Sequence, residues 1–123
     1  MSRMILLTEG MSNPAEAKTA TGLLRYRGEE VAAVYDSACA GRTAGEVLGV
    51  GGAIPFVDSL DGIEADTLVM GIATAGGELP GSWRAIIRDA LRGGMKILNG
   101  LHTFIADDPE FAPLAAEHGG ELI

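Results

Sequence analysis

Residues 67–101, which read TLVMGIATAGGELPGSWRAIIRDALRGGMKILNGL, decide the fold of this chain. The apolar run at 67–73 predicts a strand covered on both faces. Ser82 is the predicted cap of a helix whose apolar residues recur at helical spacing. A glycine pair at 93–94 predicts the end of that helix, and a second strand is predicted at 96–101. A strand, a helix and a strand in this order are typical of a parallel β–α–β unit.

The same alternation extends over the rest of the chain. Further strands are predicted at 3–8, 31–35, 54–57 and 121–123, and further helices at 13–27, 43–48 and 107–118. Pro55 predicts an edge position, or the first position of its strand, because proline has no N–H to donate to a sheet. We therefore expect an α/β, Rossmann-like, open and mainly parallel sheet with helices on both faces, in a single domain over residues 1–123.

Charge and cysteine content exclude several classes of protein. The formal net charge is −8, which argues against a nucleic-acid partner because phosphate contacts need clustered Lys and Arg. Cys39 is the single cysteine, so an internal disulfide is impossible, and we expect a reducing, cytoplasmic location. The apolar run at 4–7 is too short for a signal peptide or a membrane span, so no membrane partner is expected.

The carboxyl ends of parallel strands predict where a ligand binds, because open α/β sheets bind ligands beyond those ends. Glycines there let a ligand approach the backbone, and helix starts favour anions, although the same glycines also serve ordinary turns. The candidate ligand-binding residues are Glu9, Gly10, Lys18, Thr19, Asp36, Ser37, Gly41, Arg42, Thr43, Gly76, Gly77 and His102.

Asp36 is the most specific of these candidates. An acidic residue at the end of the second strand is where dinucleotide-binding folds hold a ribose hydroxyl, and the alternative is a turn or capping aspartate. After Gly10 the next glycine is Gly22, so the G-x-G-x-x-G fingerprint is absent. A standard nicotinamide site is therefore disfavoured.

Two further segments suggest anion binding. Lys18 and Thr19 resemble the end of a phosphate-binding P-loop, but Ala17 and Ser12 stand where that motif needs glycine. They either meet an anion near a helix start or form a solvated pair. The segment 41–43 combines a turn, a guanidinium and a capping hydroxyl, which suit a phosphate or an ordinary capped helix. Thr43 and Glu46 have the spacing of a capping box at the start of the helix predicted at 43–48.

The remaining chemistry-bearing residues give weak signals. His102 at a strand end is a candidate general base or a packed turn residue, and the catalytic residues stay unknown. Cys39 has no partner placed by sequence to activate it, and we interpret it as structural. His102 and His118 lie far apart and no cysteine cluster exists, so no metal site is expected.

Four segments resemble the N-terminal domain of a bacterial and archaeal family long labelled as a domain of unknown function. They lie at 18–27, at 36–45, at 71–84 with its GIA and GGELP motifs, and at 99–110 with NGLH and DDPE. Members of that family pair a Rossmann-like N-terminal domain with a C-terminal P-loop domain. Some of them are assigned as D-glutamate N-acetyltransferases of D-amino-acid catabolism.

The resemblance implies that this chain is the ligand-binding half of such an enzyme. It implies a small anionic or nucleotide-type ligand, with acetyl-CoA or a nucleotide as the cofactor. The P-loop domain is absent, so it would be a further domain or a separate chain, and the isolated half would be inactive and prone to form homo-oligomers. Two alternatives stay open: a non-catalytic CoA- or nucleotide-binding or oligomerisation module, and an NAD-dependent oxidoreductase domain.

Overall fold

A computed structural model of the chain describes residues 3–10, 12–13, 17–70, 81–98 and 111–122. The strands are β1 Met4–Leu7, β2 Val31–Tyr35, β3 Phe56–Val57, β4 Thr67–Met70, β5 Lys96–Leu98 and β6 Glu121–Leu122. The α-helices are α1 Lys18–Arg27, α2 Ala44–Leu48, α3 Gly81–Arg92 and α4 Phe111–His118. Two short 3₁₀ turns lie at Gly28–Glu30 and Ser37–Cys39.

These strands form one six-stranded sheet in the order β3-β2-β1-β4-β5-β6, and every neighbouring pair is parallel. The crossover from β1 to β2 moves in one direction along the sheet, and the crossover from β4 to β5 moves in the other. Right-handed crossovers in opposite directions place their helices on opposite faces. The predicted Rossmann-like sheet is confirmed, and the strand order reverses between β1 and β4.

Buried apolar side chains explain why these segments form a sheet sandwiched by helices. All four residues of β1 are buried, as a central strand covered on both faces requires. Trp83, Ile87 and Leu91 are fully buried and recur at helical spacing, so they form the buried stripe of α3. Leu24 holds α1 against the core in the same way.

Helix starts differ most from the prediction. The chain already turns at Asn13, whose carbonyl accepts a hydrogen bond from Ala17 N at 2.8 Å. Regular helix begins only at Lys18, and Ala17 is the N-cap. Ser82 lies inside α3, which begins at Gly81. Predicted helical or strand residues at 14–16, 71–73, 99–101 and 107–110 lie outside the described part of the chain.

Two prolines, which have no N–H to donate, lie where that N–H is not needed. Pro55 immediately precedes β3, which is an edge strand, so the predicted position is confirmed. Pro113 is the third residue of α4 and therefore lies in the first turn, where helix N–H groups have no intrahelical partner.

The connection from β3 to β4 contains no helix. Residues 58–66 run as turns and irregular chain across the sheet. Leu60, Ile63 and Ala65 are partly buried against the core. These three side chains take the place of the apolar face that a connecting helix would provide.

Candidate functional site

The carboxyl ends of β1 and β2 meet at one edge of the sheet. Thr8 follows β1, and its amide donates to the carbonyl of Tyr35, the last residue of β2, at 3.1 Å. Asp36 follows directly. Since the strand order reverses between β1 and β4, the loop after β1 borders the switch point at which open α/β sheets bind ligands.

A buried chain of polar side chains joins the two loops at this edge. The Thr8 and Ser12 hydroxyls lie 2.7 Å apart, and Ser12 donates to Asp36 Oδ2 at 2.5 Å. Asp36 Oδ1 accepts a hydrogen bond from Ala38 N at 3.0 Å. Thr8 is 0% exposed and Asp36 is 2% exposed, whereas Ser12 is half-buried and Ala38 is exposed, so the network reaches from the core to the surface. The loop after β1 is thereby fixed to the turn after β2.

This arrangement gives Asp36 a structural role. Its two carboxylate oxygens already accept from a hydroxyl and an amide, and its side chain caps the 3₁₀ turn at Ser37–Cys39. Because Asp36 is 2% exposed, a ribose hydroxyl could reach the carboxylate only if the two loops moved apart. Sequence reasoning missed Thr8 and Ser12; the available signal was two hydroxyl residues four positions apart directly after an apolar strand.

Glu9 and Ser37 form a second, more accessible link between the same loops. Ser37 N donates to Glu9 Oε2 at 2.9 Å, and the Ser37 hydroxyl donates to Glu9 Oε1. From the other side, the Trp83 indole N–H donates to the Glu9 carbonyl at 3.0 Å. Gly10 then turns the chain with a φ of 78°, which favours glycine. The loop after β1 is therefore held by β2 and by α3.

Lys18 and Thr19 lie at the start of α1, a short distance along the chain from this loop. Both are exposed. The N-cap residue Ala17 is buried and makes no side-chain capping bond. The first amides of a helix need acceptors from outside the helix and attract negative charge. The structure therefore leaves this helix start without a side-chain cap, next to an exposed ammonium and an exposed hydroxyl.

The predicted phosphate cradle at 41–43 is arranged differently. Thr43 and Glu46 form the predicted capping box, in which Thr43 N donates to Glu46 Oε1 at 3.1 Å and Glu46 N donates to Thr43 Oγ1 at 3.3 Å. A carboxylate thus already occupies the start of α2, which has only 5 residues. Gly41 has a φ of 89° and Arg42 is exposed. Arg42 remains available to an anion, whereas Thr43 is engaged.

Cys39 lies within the same cluster but is not an activated thiol. Its Sγ is 3.8 Å from Asp36 Oδ2. Burial and the neighbouring Asp36 carboxylate raise the pKa of the Cys39 thiol, while Arg42 acts in the opposite direction. A raised pKa reduces the thiolate fraction, so the geometry agrees with a structural cysteine.

Three predicted site residues, Gly76, Gly77 and His102, lie outside the described residues. Within the ranges that the structure describes, no three His, Cys, Asp or Glu side chains are grouped as metal ligands require. None of the helices in those ranges has the length and apolar content needed to span a bilayer.

Comparison with solved structures supports the fold over its whole length. A DUF1611 family protein from Anabaena variabilis superimposes with a TM-score of 0.86 and 33% sequence identity. The match covers 100% of this chain and 36% of that protein. This chain is therefore similar to one part of a longer polypeptide.

Two curated relatives match about half of the chain. One, named D-glutamate N-acetyltransferase, from Tritonibacter scottomollicae, is 36% identical over 58 residues, which are 47% of this chain and 17% of the relative. Another of the same name from Pseudoalteromonas is 37% identical over 59 residues, which are 48% of this chain and 18% of the relative. The matches thus span less than a fifth of either relative.

The family assignment comes from a sequence profile. The profile of DUF1611_N, described as a Rossmann-like domain of unknown function, matches residues 37–123. That range is well over half of the chain and includes β3 to β6 with three of the four α-helices. The chain therefore belongs to the DUF1611_N family of Rossmann-like domains.

Proposed function

We propose that this chain is the ligand-binding part of a D-glutamate N-acetyltransferase-like protein, and that it takes a small anionic or nucleotide-type ligand at the carboxyl ends of β1 and β2. Acetyl-CoA fits this description because it carries phosphates and is the acyl donor that such a reaction requires. The family membership and the names of the two curated relatives support the reaction class.

The observation that carries the proposal is the loop after β1. Ser12 holds it to Asp36, and Trp83 holds it at Glu9. A loop fixed from both sides at a switch point loses little conformational entropy when a ligand binds. The loop leads into a helix start without a side-chain cap, which suits a phosphate or carboxylate.

Positive charge near this loop supports an anionic ligand in a chain that is otherwise acidic. Lys18 is exposed at the start of α1, and Arg42 is exposed in the segment after the turn that Asp36 caps. In the proposal Lys18 and Thr19 contact one anionic group, Arg42 contacts another, and the glycine turn at Gly10 admits the ligand close to the backbone. Glu9 and Ser37 position the loop.

The proposal assigns binding to this chain and turnover to the larger protein. The chain matches only 17–18% of the curated relatives, so groups supplied by the rest of such proteins are expected to complete the reaction. The chain alone should therefore bind ligand without transferring an acetyl group. The alternative is a non-catalytic CoA-binding module. Such a module would bind CoA, and D-glutamate would not change its stability or its affinity for CoA.

An NAD-dependent oxidoreductase is the weaker alternative. It depends on Asp36 as a ribose contact, but the hydrogen bonds from Ser12 and Ala38 already engage that carboxylate. NAD binding that disappears in Asp36→Asn while the fold stays intact would favour this alternative.

A thermal-shift series with acetyl-CoA, CoA, ATP, NAD and D-glutamate tests the proposal. A ligand at 100 times its dissociation constant stabilises the folded state by roughly 2.7 kcal/mol, which moves the melting temperature by several degrees. We expect a shift with acetyl-CoA and CoA that Lys18→Ala and Arg42→Ala reduce. The matched control is Arg25→Ala, which removes an exposed cation from the last turn of the same helix α1.

Two results would contradict the proposal. One is the absence of any shift at millimolar acetyl-CoA, CoA and ATP. The other is a shift that Lys18→Ala and Arg25→Ala reduce equally, because it would reflect nonspecific charge rather than a site at the helix start.

A further inference from the structure

A groove lies between α3 and the segment 58–66, beside the site at the strand ends, because Tyr35 ends β2 and Asp58 directly follows β3. Its volume is about 410 Å³. One side of the groove is the connection from β3 to β4, which has no helix. The groove is lined by Tyr35, Asp58, Ser59, Leu60, Asp61, Ile86, Asp89 and Arg92.

The lining of this groove includes the Tyr35 ring and two aliphatic side chains, and this part of the lining is called the floor. Tyr35 is half-buried at the end of β2, and its hydroxyl donates to the Asp58 carbonyl at 2.9 Å, which fixes the ring. Leu60 from the segment and Ile86 from α3 complete the floor. A fixed aromatic ring flanked by aliphatic side chains suits a flat group that stacks on it.

The walls of the groove are negative on both sides. Asp58 and Asp61 stand on the segment, Asp89 stands opposite on α3, and all three are exposed. Among the residues that the structure describes, Arg92 is the one basic lining residue against these three carboxylates. Burial raises the pKa of the Tyr35 phenol, and the charges of Glu9, Asp89 and Asp58 raise it further, which agrees with a negative potential at the floor.

This combination selects one kind of group. A guanidinium is planar, stacks on aromatic faces and donates to carboxylates in a fixed fork. Phosphates and carboxylates are repelled by the same walls, so the groove and the site at the strand ends have opposite charge preferences. The solved relative extends well beyond the 36% of it that this chain covers, so family members contain other segments that can present such a side chain.

We propose that the groove is a docking site for an arginine side chain presented by another protein segment, with the guanidinium stacked on Tyr35 and hydrogen-bonded to Asp58 and Asp89. This inference does not depend on the proposed acetyl-CoA site, and its test uses different residues and a cationic probe.

The probe is N-acetyl-L-arginine methylamide, which carries the side chain in peptide form without a free carboxylate. It is titrated into the intact chain, and the amide chemical shifts of residues 58–61 and 86–92 are followed. The citrulline analogue is the matched neutral probe, because it keeps the length and planarity of arginine and loses the charge. We expect saturable shifts at both walls with the arginine probe, weaker binding of the lysine analogue, and almost none of the citrulline analogue.

Substitutions at the lining carboxylates test whether these groups attract the guanidinium. Asp58→Asn combined with Asp89→Asn should weaken binding about three- to tenfold, as expected for the loss of two exposed charge contacts. Glu29→Gln combined with Glu117→Gln removes two exposed carboxylates that do not line the groove, and should leave the affinity unchanged. Arg92→Ala removes the competing cation and should tighten binding, which provides a test that does not rely on losing a contact.

The proposal is overturned if the citrulline analogue binds as well as the arginine probe. It is also overturned if the two double variants bind equally, or if Arg92→Ala weakens binding.

Discussion

Ser12 donates its hydroxyl to Asp36 Oδ2 at 2.5 Å and so joins two loops that are 24 residues apart in sequence. Asp36 is 2% exposed and also accepts from Ala38 N, so the bond is part of a buried network and not a surface contact. The loop after β1 and the turn after β2 therefore behave as one unit at the switch point of the sheet. The stability of that unit is open to direct measurement.

We expect Asp36→Ala to lower the free energy of unfolding by about 1–3 kcal/mol, because it removes the carboxylate that accepts hydrogen bonds from Ser12 and Ala38 N and caps the turn at Ser37–Cys39. Ser12→Ala should lower it by about 1 kcal/mol, and the double variant should lose less than the sum of the two single variants. Urea denaturation measures all three. Thr19→Ala, which removes an exposed hydroxyl outside this network, is the control; equal losses for Ser12→Ala and Thr19→Ala would mean that the network contributes no stability.

Cys39 should react slowly with alkylating reagents. Burial and the charge of Asp36 raise its pKa, so less thiolate is present at any pH below that value than in an unperturbed cysteine. Asp36→Asn should lower the pKa and accelerate iodoacetamide alkylation at pH 8, whereas Arg42→Ala should slow it, because Arg42 lowers the pKa. An alkylation rate that neither substitution changes would contradict this electrostatic interpretation.

Gly51 packs where α1 and α2 approach each other. It has a φ of 89°, and an added Cβ would lie 2.9 Å from both Ala44 Cβ and Leu24 Cδ2. Gly51→Ala should therefore destabilise the chain by about 1–3 kcal/mol. The control is Gly52→Ala, where φ is also positive but no atom lies within 4 Å of the added Cβ. A thermal unfolding midpoint equally low in both variants would show that the backbone angle alone, and not the contact, determines the effect.

Trp83 should control the mobility of the loop after β1. Trp83→Phe keeps an aromatic ring in the core but removes the indole N–H that donates to the Glu9 carbonyl. We expect faster amide hydrogen exchange over residues 9–12 with little change in β4 and β5. Tyr26→Phe alters an aromatic residue that is 79% exposed and serves as the control. Unchanged exchange in the loop would mean that Ser12 and Asp36 hold it without help from Trp83.

Local sequence signals were enough to predict most of the elements. The buried strands β1 and β2 and the capping box of α2 each depend on residues that are close together in sequence, and the structure confirms them. The strand order was not predictable, because it depends on which strands pair across long stretches of sequence. The helix expected from Asn13 is described from Lys18 onward, because the backbone of the N-cap residue Ala17, with a φ of −96° and a ψ of 40°, is not helical.

The polar residues of the candidate site were harder to predict. Thr8 and Ser12 are typical turn residues, and their role depends on Asp36, whose position beside them is set by the pairing of β1 with β2. Glu46 was predicted as part of a capping box, yet that same carboxylate neutralises the helix start that was expected to bind phosphate. Neither role can be predicted without knowing the three-dimensional arrangement of these residues.

Mapping the amide chemical shifts of the intact chain on addition of acetyl-CoA tests the ligand site most directly. We predict saturable shifts confined to the loop after β1, the start of α1 and the segment 36–43, with little change at Arg3 and Asp66 on the opposite edge of the sheet. Shifts centred on that opposite edge, or none at millimolar acetyl-CoA, would contradict a ligand site at the carboxyl ends of β1 and β2.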